Sequence, residues 1–339
     1  MYELAILARG GVLLTGRARA AGWSPARLTT RLRREGWQPV CRGAWAMPGK
    51  EVDWRVRATA VQILRPELVC SHGTAARLHR IERLGRPADP LLDFTVPAPR
   101  TTSVAGTRVR SLPLTAGDWS IRRGLRTTTP ARTVGDLIRA STSREEAVVI
   151  ADSALGRRTV DGVRRDPLVR HEDLATELAT LRRPGGRRAR TWLALTEASS
   201  GSPAETVARL RMRDAGMFPE SQPLLSTGDG RWPALRPDFL FREAGLAVEV
   251  EGYAFHGSRA AHERDAARFN ALSACPEVRR ILRFTARDVF GRPEYVIGTI
   301  RAALAALATP PPWSPRSPGP TGPAGPAGPA GPTGPIGAG

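Results

Sequence analysis

The 339-residue sequence contains few cysteines, a single lysine and no long apolar run. Its cysteines, Cys41, Cys70 and Cys275, are too widely separated for a disulfide framework or a paired metal knuckle, which favours a reducing compartment. No apolar run approaches the roughly 20 residues of a membrane helix. The N-terminal segment lacks the length and charge pattern of a secretory signal. We therefore expect a cytoplasmic protein that does not bind membranes.

Arginine dominates the charge of the sequence. Lys50 is the only lysine, yet the formal net charge is +19. A strongly cationic protein attracts polyanions, usually nucleic acid, although nonspecific attraction is an equally good reading of charge alone. The first 50 residues carry nine basic and two acidic side chains, whereas residues 201–308 carry 15 and 13. The strongest attraction for nucleic acid is therefore predicted in the N-terminal segment.

Residues 1–50 have the pattern of three helices followed by a hairpin. Ser24 and Pro25 predict the start of the third helix, which should end at Gly36. This order is that of a winged helix-turn-helix, in which the third helix lies in a DNA major groove and the hairpin touches the backbone. An ordinary helical bundle with a solvated arginine face is the alternative. On the first interpretation, double-stranded DNA is contacted by Arg27, Arg31, Arg34 and Arg42.

Helix and strand patterns follow one another in the middle of the chain, which predicts an α/β domain. His72 and His79 are isolated from other metal-ligand residues, so we expect capping or surface positions for both. The basic, glycine-containing stretch 182–190 has the composition of a linker. From Gly319, glycine falls at every third position, a collagen-like pattern. The tail is short for a triple helix, so we expect an extended disordered segment, with trimerisation as the alternative.

A hairpin rich in acidic residues is predicted in the last folded segment. RPDFLF (236–241) and LAVEVE (246–251) read as strands joined by the four-residue connection REAG. If Phe241 pairs with Leu246, residues at the open end of the hairpin face each other, and residues two apart on one strand share a face. The hairpin then brings together Asp238, Glu249 and Glu251.

Glu205, in the first turn of a preceding predicted helix, supplies another acidic side chain. Clustered carboxylates repel one another, and burying them without partners is unfavourable. A divalent cation removes both difficulties, and carboxylate oxygens suit Mg²⁺ or Mn²⁺. A solvent-exposed hairpin edge carrying two glutamates is the alternative.

The order of RPDF, VEVEG, a histidine, ERDAARFNAL and ILRFT resembles the very-short-patch-repair-like branch of the PD-(D/E)xK nuclease superfamily, over residues 202–307. Residues 1–50 resemble the winged-helix domain of abortive-infection type IV antitoxins, and SHGTAARLH and TPARTVGDLI resemble the region that follows it there. These resemblances imply an α/β multidomain protein. The expected divisions are a winged helix at 1–50, an antitoxin-like α/β domain at 51–195, a restriction-endonuclease-like α/β core at 196–308 and a collagen-like tail at 309–339.

The nuclease resemblance implies that Asp238 and Glu249 are metal ligands and that Glu205 supports the metal. Glu251 is expected in the catalytic set with Asp238, Glu249 and His256; it takes the position where the superfamily usually has lysine, and no lysine follows Lys50. His256 is then expected to transfer a proton or hold a phosphate, although a turn histidine bonded to the backbone is nearly as good a reading.

Asp265 and Arg268 lie three residues apart on the next predicted helix and are expected to pair. Arg283 is expected to contact a substrate phosphate or to close the carboxylate network. The predicted function is a DNA-binding, Mg²⁺-dependent endonuclease that hydrolyses phosphodiester bonds. One alternative is a non-catalytic antitoxin or transcriptional regulator with a degenerate nuclease core and a cognate toxin as partner. RNA cleavage is a weaker one.

Overall fold

The computed structural model describes residues 3–85, 91–97, 104–179, 183–226, 235–252 and 259–308. These ranges form a mixed α/β protein with 13 α-helices and four sheets, which confirms the predicted α/β class. None of the helices in these ranges has the length and apolar character needed to cross a membrane. The predicted disordered tail, 309–339, and His256 lie outside the described residues.

The N-terminal segment consists of short helices and a three-stranded antiparallel sheet in which the third strand is central. Its elements are α1 (Leu4–Leu7), β1 (Val12–Leu14), α2 (Thr15–Ala20), α3 (Pro25–Arg34), β2 (Gln38–Cys41) and β3 (Ala44–Ala46). Helix α3 begins at Pro25 with Ser24 as its N-cap, as predicted. Strand β1 was not predicted from the sequence, because three residues are too few to show an alternating pattern. Its partner strand is also distant in the chain: Leu14 pairs with Ala44, 30 residues later.

The middle of the chain forms a five-stranded mixed sheet of order β6-β5-β4-β8-β7, a short hairpin and a group of helices. Its elements are α4 (Trp54–Leu64), β4 (Val69–Cys70), α5 (His72–His79), β5 (Leu92–Val96), β6 (Thr107–Ser111), β7 (Trp119–Arg122), β8 (Leu125–Thr128), α6 (Pro130–Ala140), α7 (Arg144–Leu155), β9 (Arg158–Val160), β10 (Val163–Arg165), α8 (His171–Ala179) and α9 (Gly186–Leu193).

The stretch 182–190 is not the predicted linker, because its second half is part of helix α9. Ala189 and Leu193 are buried in one apolar cluster with residues of α6, α7 and α8. Gly185, with φ +80°, is the N-cap of this helix and packs closely against α6. A Cβ added at this position would lie 2.8 Å from the Arg139 carbonyl oxygen. Glycine here permits close packing rather than flexibility.

Neither His72 nor His79 has a surface position, which was one of the two roles expected for them. Both rings are buried, and loss of hydration lowers the pKa of each to about 4. The Nε2 of His79 bonds to the carbonyl oxygen of Thr128 at 2.8 Å, which joins α5 to β8. Both side chains are therefore neutral near pH 7.

The last described segment contains a four-stranded sheet of order β11-β12-β13-β14. Its elements are α10 (Pro203–Asp214), β11 (Glu220–Ser221), β12 (Phe239–Phe241), β13 (Leu246–Glu251), α11 (Arg259–Ser273), β14 (Arg280–Thr285), α12 (Ala286–Gly291) and α13 (Pro293–Ala308). Strands β12 and β13 are antiparallel, with Phe241 opposite Leu246 as predicted, and β13 and β14 are parallel. One apolar cluster joins this sheet to α10, α12 and α13.

A buried polar junction fixes α10 to α7. The carboxylate of Asp152 on α7 is fully buried and accepts hydrogen bonds from Arg209 Nη2 at 2.8 Å and Thr206 Oγ1 at 2.9 Å, both on α10. It also accepts one from the backbone N–H of Glu197 at 2.6 Å. The junction thereby sets the position of α10, whose first turn carries Glu205.

Candidate functional site

Three carboxylates approach one another from different elements. Glu205 is held in the first turn of α10, where its backbone N–H donates to the N-cap hydroxyl of Ser202 at 3.2 Å. Asp238 immediately precedes β12, and the pairing of Phe239 with Val248 places it beside Glu249 on β13. Only 7% of Glu205 and 8% of Glu249 is exposed, so two of the three acids are buried.

Gln222 joins two of these carboxylates, and sequence reasoning missed it. Its Nε2 donates to Asp238 Oδ1 at 2.8 Å and to Glu205 Oε2 at 3.1 Å. Its backbone has φ +49°, a left-handed conformation that is unfavourable for glutamine and that often marks functional positions. A glutamine between two elements belongs to no spacing pattern, and only its place between α10 and the acidic hairpin could have drawn attention to it.

Backbone N–H groups donate further hydrogen bonds to the same two carboxylates. The N–H of Val250 donates to Asp238 Oδ2 at 2.7 Å, and that of Gly201 donates to Glu205 Oε2 at 2.6 Å. These bonds fix both side chains without using a charged partner. The two acids are therefore oriented by strand β13 and by the approach to α10.

Arg268 on α11 pairs with Glu249 and not with Asp265. Its Nη2 and Nη1 donate to the two carboxylate oxygens of Glu249 at 3.0 and 3.2 Å, and Nη2 also donates to the Arg236 carbonyl oxygen at 2.6 Å. The spacing of three residues on one helix suggested the local pair, but the packing of α11 over β13 gives Arg268 a bidentate partner. Bidentate geometry makes this the stronger contact.

Arg283 on β14 lies between two other acids. It forms an ion pair of 2.6 Å with Glu251 and approaches Asp265 at 3.4 Å. In the parallel pairing of β13 with β14, Arg283 is the partner of Glu249 along the backbone, while its side chain turns to Glu251. Glu251 is thus neutralised by an arginine from the neighbouring strand.

The carboxylates hold protons unusually tightly. Loss of hydration raises the pKa of Asp238 to about 7, and the negative charge of Glu205 adds to this shift. Loss of hydration likewise raises the pKa of Glu249 to about 7, with the charge of Asp238 adding to it. Burial also raises the pKa of Glu205. Near neutral pH these acids gain more from additional positive charge than exposed carboxylates do.

The oxygen ligands suit a hard divalent cation. Within the described ranges, no group of three or more histidine, cysteine, aspartate or glutamate residues is placed to enclose a metal ion. Mg²⁺ commonly takes one or two protein carboxylates and fills its remaining positions with water and substrate phosphate. Asp238 and Glu249 fit that smaller requirement in number and orientation, and an ion there would compete with Arg268 for the oxygens of Glu249.

The arginines predicted to contact DNA are all exposed. Arg27, Arg31 and Arg34 are on α3, and Arg42 is in the turn between β2 and β3. Arg31 also forms an ion pair with Glu35 one turn later in the chain. The apolar face of α3 is buried, which leaves the arginine face toward solvent.

If Asp238 and Glu249 hold a divalent cation, Mn²⁺ binding should strengthen as pH rises, because the cation would displace protons from both carboxyl groups. Between pH about 4, the ordinary carboxyl pKa, and about 7, the folded chain holds protons that the unfolded chain releases. The stability that these groups contribute is therefore fully present below pH about 4 and is lost as pH rises through about 7. Below pH 7 the affinity should fall about tenfold per pH unit for each proton displaced.

Calorimetric titration with Mn²⁺ at several pH values, together with thermal unfolding, measures both effects. The rise in melting temperature caused by Mn²⁺ should be larger at alkaline than at acidic pH. An affinity that does not change across the interval would show that these carboxyls do not bind the cation.

No known protein family matches the sequence, and no curated protein matches it. Among solved structures, the chain is similar to the RV2827C protein from Mycobacterium tuberculosis, with a TM-score of 0.39 and 21% sequence identity. That similarity covers 65% of this chain and 82% of the other. Agreement at this level assigns neither a fold family nor an activity.

Proposed function

We propose that the protein is a DNA-binding endonuclease whose catalytic centre is built on Asp238 and Glu249. The observation that carries the proposal is the pair of carboxylates with pKa values of about 7, aligned at the open end of the hairpin between β12 and β13. Buried acids with strongly shifted pKa values are unfavourable for folding and are common at functional sites. Their arrangement on a sheet whose strand β13 is followed by a helix and a parallel strand supports a PD-(D/E)xK core.

In this proposal, Asp238 and Glu249 hold Mg²⁺ or Mn²⁺, with Glu205 in support. Such an ion, when bound, activates a water molecule and stabilises negative charge on the phosphodiester. The protein's own contribution is orientation: Val250 N–H fixes Asp238, and Gln222 spans Asp238 and Glu205.

Two arginines stand where positive charge helps to bind a phosphate. Arg268 is held against Glu249, and Arg283 is held against Glu251, whose position is that of the superfamily's lysine in the resemblance. A guanidinium stays protonated, so both arginines act as fixed charges and not as proton acceptors. The proton-transfer role of His256 stays a prediction, because that residue lies outside the described part of the chain.

DNA affinity is assigned in the proposal to the N-terminal segment acting as a winged helix. Helix α3 combines a buried apolar face with exposed arginines, and the strand turn carrying Arg42 projects from the small sheet. Arginines on such a helix neutralise phosphates and position the protein on the duplex. This assignment places cleavage and DNA attraction in different segments.

Incubation with supercoiled plasmid tests the activity. We expect nicking or linearisation with Mg²⁺ or Mn²⁺ and none with EDTA, because the carboxylates need the cation to act on a phosphodiester. A parallel gel-shift assay with a DNA duplex reports binding, and a single-stranded RNA substrate reports the choice of nucleic acid. Intact plasmid with every cation would refute the endonuclease, and a gel shift in the same samples would favour a regulator.

The regulator has one specific observation in its favour. Arg268 already occupies both oxygens of Glu249 as a bidentate partner, so a protein cation satisfies the carboxylate. A nuclease core held in this way can serve as a folded partner-binding unit, for example for a cognate toxin. The cytoplasmic location is part of both proposals.

A further inference from the structure

Arginines from three elements meet on a surface of the middle segment, far in sequence from α3. The turn after β7 lies beside the end of α5, because Arg122 Nε donates to the Leu78 carbonyl oxygen at 3.1 Å. The first turn of α4 is drawn to α5 by Trp54, whose ring contacts two guanidinium groups at 5.2 and 4.9 Å. We call the resulting set the arginine cluster; it contains Arg55, Arg77, Arg80, Arg122 and Arg123.

The arginine cluster is not neutralised within the described part of the chain. No carboxylate of those residues lies within 4.0 Å of any of its guanidinium groups. Asp53 is close enough to favour the charged form of Arg77, but its Oδ1 already accepts the N–H groups of Arg55 and Val56 as the N-cap of α4. Like charges gathered on one surface repel one another, so the cluster opposes folding unless an anion binds it.

Two members of the arginine cluster also have unfavourable backbone conformations. Arg80 ends α5 with φ +56°, and Arg123 lies in the hairpin turn with φ +50°. Glycine is the residue that adopts such angles most easily. Arginine at two left-handed positions beside three other arginines therefore adds strain to repulsion. The combination points to a role in binding rather than in stability.

We propose that the arginine cluster binds the phosphates of a nucleic-acid backbone, separately from α3. The proposal rests on the proposed function only for the identity of the polyanion. Guanidinium groups pair with phosphate oxygens in bidentate geometry, and a nucleic-acid backbone offers phosphates at regular intervals. Within the cluster, Arg55, Arg77 and Arg123 are exposed, whereas Arg80 and Arg122 are half-buried. The segment that contains the cluster supports the proposal, since residues 51–200 hold 26 basic and 17 acidic side chains.

The double variant Arg80→Gly/Arg123→Gly tests the proposal without endangering the fold, because glycine suits both left-handed positions. Binding of the full-length protein to a fluorescent DNA duplex is measured by anisotropy over a range of salt concentrations. We expect weaker binding, and a salt-dependence slope smaller than that of the wild type by about 1.8, since each lost phosphate contact removes about 0.9. The melting temperature should be unchanged or higher.

Two further variants separate this result from the proposed function. Arg287→Ala/Arg301→Ala removes the same charge from exposed positions on α12 and α13 and should keep the wild-type slope. Arg27→Ala/Arg31→Ala should lower the slope through α3, independently of the cluster.

An unchanged salt-dependence slope in the glycine variant would overturn the arginine cluster as a phosphate site. If the α3 variant then still lowered the slope, DNA binding by α3 would remain supported. An equal loss in the Arg287/Arg301 control would overturn it too, as a general charge effect. Loss of affinity for polyglutamate with no change toward the duplex would assign the cluster to an acidic protein and overturn the proposal. Plasmid cleavage is a separate readout, so its failure alone leaves the cluster's result standing.

Discussion

Replacing Asp238 by asparagine is expected to lower plasmid cleavage by about 10³-fold while leaving the protein folded. The substitution removes one anionic oxygen from the proposed cation site, and metal-dependent stabilisation of the transition state contributes several kcal/mol in such centres. Asparagine has the same shape as aspartate, but its single carbonyl oxygen can accept from Gln222 Nε2 or from the Val250 N–H and not from both. The initial rate of loss of supercoiled plasmid in Mn²⁺ measures the effect.

The variant should stay folded with a modest loss of stability, because one lost hydrogen bond costs about 1–3 kcal/mol and relief of charge repulsion offsets part of it. Asp238 is hard to ionise because of lost hydration and the charge of Glu205, so a neutral side chain relieves that repulsion at alkaline pH. Glu243→Gln is the matched control, since Glu243 is an exposed acid in the connection between β12 and β13 and should keep the wild-type rate. Equal cleavage by wild type and Asp238→Asn would place the activity elsewhere in the protein or in a contaminant.

Replacing Asp152 by alanine is expected to destabilise the protein by about 3–5 kcal/mol, because it removes the buried partner of Arg209 and leaves only the longer contact with Glu197 at 3.3 Å. The side chain of Asp152 is fully buried, and that of Arg209 is 9% exposed. Thr206 and the Glu197 N–H lose an acceptor as well. Urea unfolding followed by circular dichroism gives the change in the free energy of unfolding.

Asp214→Ala provides a matched control for Asp152→Ala. Asp214 also joins α10 to α7 through an arginine, Arg144, but half of its side chain is exposed. An exposed ion pair of this kind contributes less than about 1 kcal/mol. Similar losses of stability in the two variants would show that burial does not give the Asp152 junction its strength.

The parts of the fold that were predictable from sequence depend on short-range chemistry. Serine followed by proline marks the starts of α3 and α10, because the N-cap and first helical position accept few other combinations. The register of the acidic hairpin follows from its short connection, which leaves Phe241 opposite Leu246. Local signals of this kind act within a few residues and can be read directly.

The errors and omissions at the site are all long-range. Helical spacing made Asp265 the expected partner of Arg268, but only the packing of α11 shows that Glu249 is nearer. Gln222 had no pattern, because its role depends on the approach of α10 to the strand preceded by Asp238. Arg268 and Gln222 supply positive charge and hydrogen bonds that partly offset the effect of burial, which raises the pKa of Asp238 and Glu249.

The Asp152 junction bears on how this protein can evolve. Helix α10 carries both Glu205 of the site and Arg209, whose counter-ion belongs to α7. Recombination near residue 196 that brought in an α10 without arginine at position 209 would leave Asp152 buried without its counter-ion. A substitution at position 152 or 209 alone removes the partner of a buried charge, so we expect these two positions to change together.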